Sequence, residues 1–487
     1  MHVLIIGAYG SAGVSAAEEL VAAEAVDQLT LVDNGVPGGG LCILQGCMPS
    51  KEVISAASHR YQARHDHRLR GDPPTLDLDA VVDTKNDHTS SFAHHRRSAV
   101  HDLADRDGVE FVHGSAQFLD DQRVRIDATE GEDRELEPDY VVLATGSTVN
   151  VPDIEGIDDV DYQTSADVLD ATAVPESGVV MGFGYVGLEL VPYLAEAGVD
   201  LTVIEHDRRP LDEADPAYGD ELLDLYRKEF DVDVLTQRRE QRVETTQDGG
   251  VRLHVEGPDG SDAIEAEQLY LFTGRRPNLD DVGLETTSIT PGAAGVDAAT
   301  VEDRTDGVAD EWVADTMQAR DHERVFVVGD ANGKEPILHV AKEQGVVGAR
   351  NICRHARGDS LEPYENVHHH VVFSGTGVYP YARVGHSAAS AADLDREVVA
   401  VTRQASDDGV FKTKTVPRGL ATLVVDADDG TVLGYQGLHY HADVMAKTMQ
   451  VAVEMELDVR EIPDRAYHPT TPEILDGLLR EASENVT

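Results

Sequence analysis

The stretch Gly182-Phe183-Gly184-Tyr185-Val186-Gly187 is a complete G-x-G-x-x-G, set between the apolar run Val179-Val180-Met181 and a leucine-rich segment from Leu188 to Ala197. A strand that feeds a helix through glycines at this spacing has few alternatives. The first glycine makes a tight turn, the second lets backbone approach a pyrophosphate, and the third lets the helix pack close to the strand. The helix start offers free N–H groups and the positive end of its dipole to an anion. The next strand, Leu201-Thr202-Val203-Ile204, ends on Glu205. An acid there accepts hydrogen bonds from a ribose 2′-OH and repels a 2′-phosphate, which favours NAD. His206, Arg208 and Arg209 follow and are groups that would hold that phosphate, so NADP stays open.

A second unit of this kind opens the chain. Val3-Leu4-Ile5-Ile6 leads through Gly7, Gly10 and Gly13 into a helix reaching about Glu24, and Leu29-Thr30-Leu31-Val32 ends on Asp33. The glycines fall at every third position, as if one residue, such as Tyr9, were inserted into the motif. One dinucleotide can be a substrate. Two in one chain point to a held flavin that relays electrons from a nicotinamide and can pass them to sulfur.

Sulfur is at hand. Gly38-Gly39-Gly40-Leu41-Cys42 runs on to Cys47-Met48-Pro49-Ser50-Lys51. A helix starting near Cys42 would bring both sulfurs to one end within a turn and a half. Its amino end would lower a thiol pKa. The glycines would let backbone press against a flat ligand.

Composition narrows the class. The 487 residues allow three or four domains. Three cysteines cannot build a disulfide scaffold, and a close pair suits a redox role in a reducing compartment. No apolar run has the length of a membrane span or the form of a signal peptide, so a cytoplasmic protein is expected. Asp plus Glu number 91 against 40 Lys plus Arg, a net charge of −51. Charge spread along the whole chain at this level needs salt to screen it, as in the cytoplasm of a halophilic organism, and it repels nucleic acid.

From Ser50 to about Asp107 the chain reads as helical with a break at Gly71-Asp72-Pro73-Pro74. Its histidines (His59, His65, His67, His88, His94, His95 and His101) have no ligand spacing and read as solvated faces; no metal site is expected. Short strands are expected at Val109–Val112, Ala116–Leu119 and Val124–Ile126, then a buried strand from Tyr140 into Ala144-Thr145-Gly146-Ser147. Leu271 to Asn278, with Gly274 and Arg275, closes the second unit, and Arg324 to Val328 leads to Gly329-Asp330. A helix from Ile337 to Ile352 follows, with His339 near its start and Cys353 just past its end as a packing residue. Beyond about Glu362 the composition turns to β-branched strands and then helices, containing Tyr467-His468-Pro469-Thr470-Thr471-Pro472-Glu473. The reading is α/β: a FAD-binding domain over 1–152, an NAD(P)-binding domain over 153–280, a stretch over 281–360 completing the first, and an α+β dimerisation domain over 361–487.

Together these residues resemble the class I pyridine nucleotide–disulfide oxidoreductases, a group that includes dihydrolipoyl dehydrogenase, glutathione reductase and mercuric reductase. The pattern G-G-x-C-x4-C-x-P-S-K appears at Gly39 to Lys51, A-T-G-S at Ala144 to Ser147, G-x-G-Y-x-G-x-E at Gly182 to Glu189, T-G-R-x-P-N at Thr273 to Asn278, and H-P-T-x-x-E at His468 to Glu473. The resemblance implies FAD and a nicotinamide dinucleotide. It implies that Cys47 is the sulfur beside the flavin and its charge-transfer partner, and that Cys42 is the interchange thiol. Lys51 would lie near flavin N5, paired with Glu189. Tyr185 would cover the flavin until nicotinamide displaces it. His468, held by Glu473, would be the acid/base in the other subunit's site, which requires a homodimer. Gly7, Gly10, Gly13, Asp33, Gly40, Lys51, Thr145, Gly146, Asp330 and His339 are the expected flavin contacts. Gly182, Gly184, Tyr185, Gly187, Glu205, Gly274 and Arg275 complete the cofactor set. Thiol–disulfide exchange needs a proton moved near neutral pH, which suits a histidine oriented by a carboxylate.

The expected activity is closest to dihydrolipoyl dehydrogenase: a small thiol, disulfide or lipoyl substrate, and docking onto a 2-oxo acid dehydrogenase complex as an open partner. The chief rival is an NADPH-dependent reductase of a low-molecular-weight disulfide, glutathione-like or bis-γ-glutamylcystine. Lacking a C-terminal cysteine pair and an N-terminal metal-binding cysteine motif, the chain is read as set apart from mercuric reductase. A flavin transhydrogenase that never touches disulfides would have no use for the cysteine pair.

Overall fold

A computed structural model describes residues 1–291 and 312–486. Residues 292–311 of the expected 281–360 stretch therefore lie outside the described residues. The chain forms two compact units: Met1–Pro49, Lys85–Pro152 and Arg275–Asn366 in one, and Ser50–Thr84, Asp153–Gly274 and Val367–Thr487 in the other.

In the first unit eight strands run in the order Gln318–Ala319, His322–Val327, Tyr140–Leu143, His2–Ile6, Gln28–Asp33, Val109–Phe118, Val124–Ala128, Arg134–Leu136. Its centre is parallel, as βαβ crossovers require. Runs such as Val3, Leu4 and Ile5 are fully buried, which is why they read as continuous apolar stretches. The two strands expected around residues 109–119 are one strand, Val109–Phe118. Its first half pairs parallel with Gln28–Asp33 and its second half pairs antiparallel with Val124–Ala128. Gly114 stands at the change of partner, where a Cβ would lie 2.3 Å from Asp127 O, so the glycine permits close approach and does not break the strand. The helix after Gly329-Asp330 runs Leu338–Arg357, so Cys353 lies inside it, buried. Gly345 on that helix, whose Cβ would come 2.4 Å from Ala12 O, lets it pack directly on the helix Ser11–Val21.

The second unit holds a parallel five-stranded sheet in the order Asp233–Thr236, Asp200–Glu205, Ser177–Met181, Gln268–Leu271, Tyr162–Thr164. It also holds an antiparallel three-stranded sheet over residues 239–266. A third sheet is antiparallel and five-stranded, in the order His369–Val372, Tyr381–Gly385, Val432–Leu438, Leu420–Asp426, Val398–Gln404. The helices Ala442–Glu454 and Glu473–Asn485 bury Met445, Met449, Ile474 and Leu478 among its apolar residues. Among the described residues no helix is long and apolar enough to cross a membrane.

Candidate active site

The cysteines lie on two helices, which corrects the expectation of a single helix from Cys42. Leu41–Leu44 is one helical turn behind Gly40, whose φ is +79°. The chain then breaks at Gln45-Gly46, and Cys47 opens the helix Cys47–His65. Gly46 stands where a Cβ would be 3.1 Å from Cys42 Cα and 3.2 Å from Leu41 O, so a side chain there would crowd the return. The sulfurs still meet. The hydrogen bond with Cys47 and then burial push the Cys42 thiol well above its ordinary value. The aligned peptide dipoles of the longer helix favour negative charge at Cys47, the cysteine at its amino end. Cys42 is half-buried and Cys47 exposed.

The N-terminal glycine turn is one residue longer than the turn at Gly182. A Cβ on Gly13 would lie 2.2 Å from Gly7 O, and one on Gly187 would lie 2.7 Å from Gly182 O. The helix-packing glycine is thus six residues after the turn glycine in one unit and five in the other. The extra residue is buried Tyr9. Its hydroxyl is 3.0 Å from His101 Nε2, and its ring is 5.0 Å from that of Phe111. Gly38 and Gly40 make room for it, since a Cβ on Gly38 would be 2.2 Å from the Tyr9 ring and one on Gly40 3.0 Å from Tyr9 O. The Tyr9 and Gly35 N–H groups donate to the two oxygens of Asp33 at 2.9 and 2.8 Å, and burial raises the Asp33 pKa.

Arg96, which sequence reading passed over as part of a polar helix, reaches this turn. Its Nη1 is 3.3 Å from Tyr9 O and 3.4 Å from Ser11 Oγ, and it pairs with no carboxylate among the described residues. Elsewhere in the same unit Ser147 Oγ donates to Asp330 Oδ2 at 2.7 Å, and Arg275 donates to Ser147 Oγ at 2.9 Å and to Ser147 O at 2.7 Å. Asn278 Nδ2 donates to Thr145 O at 3.3 Å. A Cβ on Gly146 would meet nothing within 4 Å, which leaves open space beside this cluster. His339 is half-buried at the second position of its helix. Glycine backbone, a guanidinium and two acids are a donor and acceptor set that fits a flavin dinucleotide, with N–H groups for diphosphate and carboxylates for ribose and ribityl hydroxyls.

In the second unit Gly184 faces open space, and Glu205 is buried at the end of its strand. Burial pushes the Glu205 carboxyl up to about 7, against a hydrogen bond from Asp207 N at 2.8 Å that lowers it. Two of the three cations that could take a 2′-phosphate are engaged by acids, His206 by Glu240 and Arg209 by Asp220 at 2.5 Å, while Arg208 is exposed. Lys51 Nζ lies 2.7 and 2.6 Å from the two oxygens of Glu189. Ser50 Oγ (3.3 Å) and Phe373 N (3.0 Å) donate to the same carboxylate, and the Phe373 ring lies 4.7 Å from the ammonium. His468 is exposed, with Nδ1 3.0 Å from Glu473 Oε2, while Thr470 N donates to Glu473 Oε1 at 2.7 Å. The His468 bond, and then the Thr470 N–H, hold the Glu473 pKa below its ordinary value. Among the described residues no group of three or more His, Cys, Asp or Glu is arranged to hold a metal ion.

Residues 1–345 match the family model "Pyridine nucleotide-disulphide oxidoreductase", and residues 371–478 match the dimerisation domain of that family. A mercuric reductase of Streptomyces lividans is 28% identical over 91% of this chain and 88% of its own. A dihydrolipoyl dehydrogenase of Haloferax volcanii is 29% identical over 99% of this chain and 96% of its own. Among solved structures, a Cu(II) complex of the HOCl-induced flavoprotein disulfide reductase RclA from Escherichia coli shares the fold, with a TM-score of 0.79 at 21% identity over 99% of each chain. The chain belongs to the pyridine nucleotide–disulfide oxidoreductase family, enzymes that use FAD and NAD(P) and act on sulfur groups.

Proposed function

We propose that this protein is a dithiol–disulfide oxidoreductase most like dihydrolipoyl dehydrogenase, working with NAD(H). The observation that carries the reading is the hydrogen bond between the Cys42 thiol and the Cys47 sulfur, a dithiol poised to close into a disulfide. In the oxidised enzyme a substrate thiolate attacks Cys42, and Cys47 leaves as a thiolate at the amino end of its helix. The second substrate thiol then displaces Cys42, which releases the substrate as a disulfide and leaves the enzyme pair reduced. FAD, when bound, supplies the two-electron exchange between sulfur and nicotinamide. His468 takes the substrate proton, with Glu473 fixing its Nδ1–H tautomer.

Glu205, together with the acids engaging His206 and Arg209, supports NAD over NADP. The relatives named dihydrolipoyl dehydrogenase support the substrate class. Because His468 is exposed, we infer that it completes the site of a second copy in a homodimer; Val444, Val451 and Met455, along and just past the helix Ala442–Glu454, are exposed apolar residues that such a copy would cover. The four-part division at residues 152, 280 and 360, and a cytoplasm rich in salt, belong to the same proposal; the net charge of −51 supports the latter.

The relatives named mercuric reductase favour a second reading, reduction of a soft metal ion at the same sulfurs. Steady-state turnover of the purified holoenzyme in high salt separates them. Dihydrolipoamide should reduce NAD in wild type and not in Cys42→Ser. Turnover with Hg(II) and no turnover with dihydrolipoamide would overturn the lipoyl reading.

A further inference from the structure

Tyr185 is the first residue of the helix Tyr185–Ala197 and follows Gly182 and Gly184 directly. It is 42% exposed at the mouth of the turn, so a dinucleotide held there meets its ring. The ring is nonetheless fixed at two points. Its hydroxyl donates to Glu213 Oε1 at 2.8 Å, and its face lies 5.1 Å from the His370 ring with the planes tilted by 38°. Glu213 is anchored in turn: Arg383 Nη1 donates to its carbonyl oxygen at 3.0 Å, and His370 Nε2 lies 3.7 Å from its Oε1. His370 is buried, with Nδ1 2.8 Å from His368 Nε2. Burial raises the Tyr185 pKa, so its hydroxyl keeps the proton it donates, and the Glu213 carboxyl is also hydrogen-bonded to the Asp212 side chain.

We propose that Glu213 and His370 form a latch that holds Tyr185 shut across the nicotinamide end of the Gly182–Gly187 turn. The dinucleotide must break one hydrogen bond and one ring contact before it can bind. This rests on the reading that NAD(H) binds at that turn. The latch residues touch Tyr185 and not the reacting atoms, so they position and do not catalyse. Their effect is a lower affinity for dinucleotide.

The test is stopped-flow reduction of the bound flavin of the holoenzyme, in high salt, across a series of NADH concentrations. Tyr185→Phe keeps the ring and loses the donor; Glu213→Ala loses the acceptor. Each should tighten the apparent dissociation constant for NADH about tenfold, the scale of one charge-assisted hydrogen bond. The double variant should gain no more than either alone, because both remove the same bond. Glu213→Gln, which keeps an acceptor oxygen, should fall between. Damage to the fold would loosen binding, so a gain in affinity is not a structural artefact, and the near-isosteric Tyr185→Phe carries the test if Glu213→Ala does not fold. Unchanged or weaker NADH binding in Tyr185→Phe, or additive gains in the double variant, overturn the latch. A wild-type flavin that no concentration of NADH or NADPH reduces overturns the dinucleotide reading beneath it.

Discussion

Lys51 and Glu189, 138 residues apart in sequence, form a two-pronged ion pair with Nζ 2.7 and 2.6 Å from the carboxylate oxygens. The carboxylate is the more buried partner, at 14% side-chain exposure against 33% for the lysine. It also accepts from Phe373 N, so removing it strands an ammonium and a backbone donor together. Glu189→Ala should therefore destabilise the protein by about 2 kcal/mol, more than an exposed pair would. Lys51→Met, which leaves the carboxylate its other donors, should cost less. Urea unfolding at fixed high salt measures both.

The two glycine turns give separable predictions. An added Cβ at Gly13 would press on Gly7 O at 2.2 Å, and one at Gly187 on Gly182 O at 2.7 Å, and in each case the obstacle is backbone. Gly13→Ala should yield protein that has lost its yellow flavin colour. Gly187→Ala should retain flavin and bind NADH at least about tenfold more weakly, for a loss of about 1.4 kcal/mol or more. Flavin absorbance per chain and NADH titration distinguish the two. A Gly187→Ala protein that loses flavin and binds NADH normally would reverse the assignment of the turns.

Glu205 sets a pH dependence. Burial pushes its carboxyl up to about 7, so its charge changes across neutral pH. The ionised form accepts the stronger, charge-assisted hydrogen bonds from the ribose hydroxyls. NADH affinity should rise from about pH 6 to about pH 8, by up to about tenfold. Glu205→Gln should flatten the profile. Calorimetric titration at several pH values reads the effect directly.

His439 ties stability to pH. It is fully buried, with Nε2 3.0 Å from Tyr435 Oη and Nδ1 3.0 Å from Tyr440 O, and burial pushes its pKa down to about 4. The unfolded chain takes up that proton near pH 6.5, an ordinary histidine value, while the folded chain refuses it. The stabilisation from a neutral His439 is present above about pH 6.5 and is lost as pH falls toward 4, by about 3 kcal/mol at most. Unfolding midpoints of wild type and His439→Gln, measured at about pH 7.5 and about pH 5, should diverge least at the lower pH.

Short spacing made part of this site readable without coordinates. His468 and Glu473 are five residues apart, Cys42 and Cys47 likewise, and the glycines of each turn lie within seven residues, so local backbone geometry alone brings them together. Long apolar runs such as Val3 to Ile6 announced parallel strands because burial on both faces leaves no polar alternation. Lys51 and Glu189 were legible only through family motifs, since no local rule links residues so far apart. What tertiary structure decided was everything carried by contacts between distant segments. Tyr9 turns inward because His101 and Phe111 receive it, and Gly38 and Gly40 are small because Tyr9 is there. Tyr185 is pinned because a carboxylate 28 residues on and an imidazole from another sheet converge on it. The Cys42 thiol is pushed up because a break at Gly46 folds it against the other sulfur in a half-buried site, a balance of hydrogen bonding and desolvation that residue order does not express.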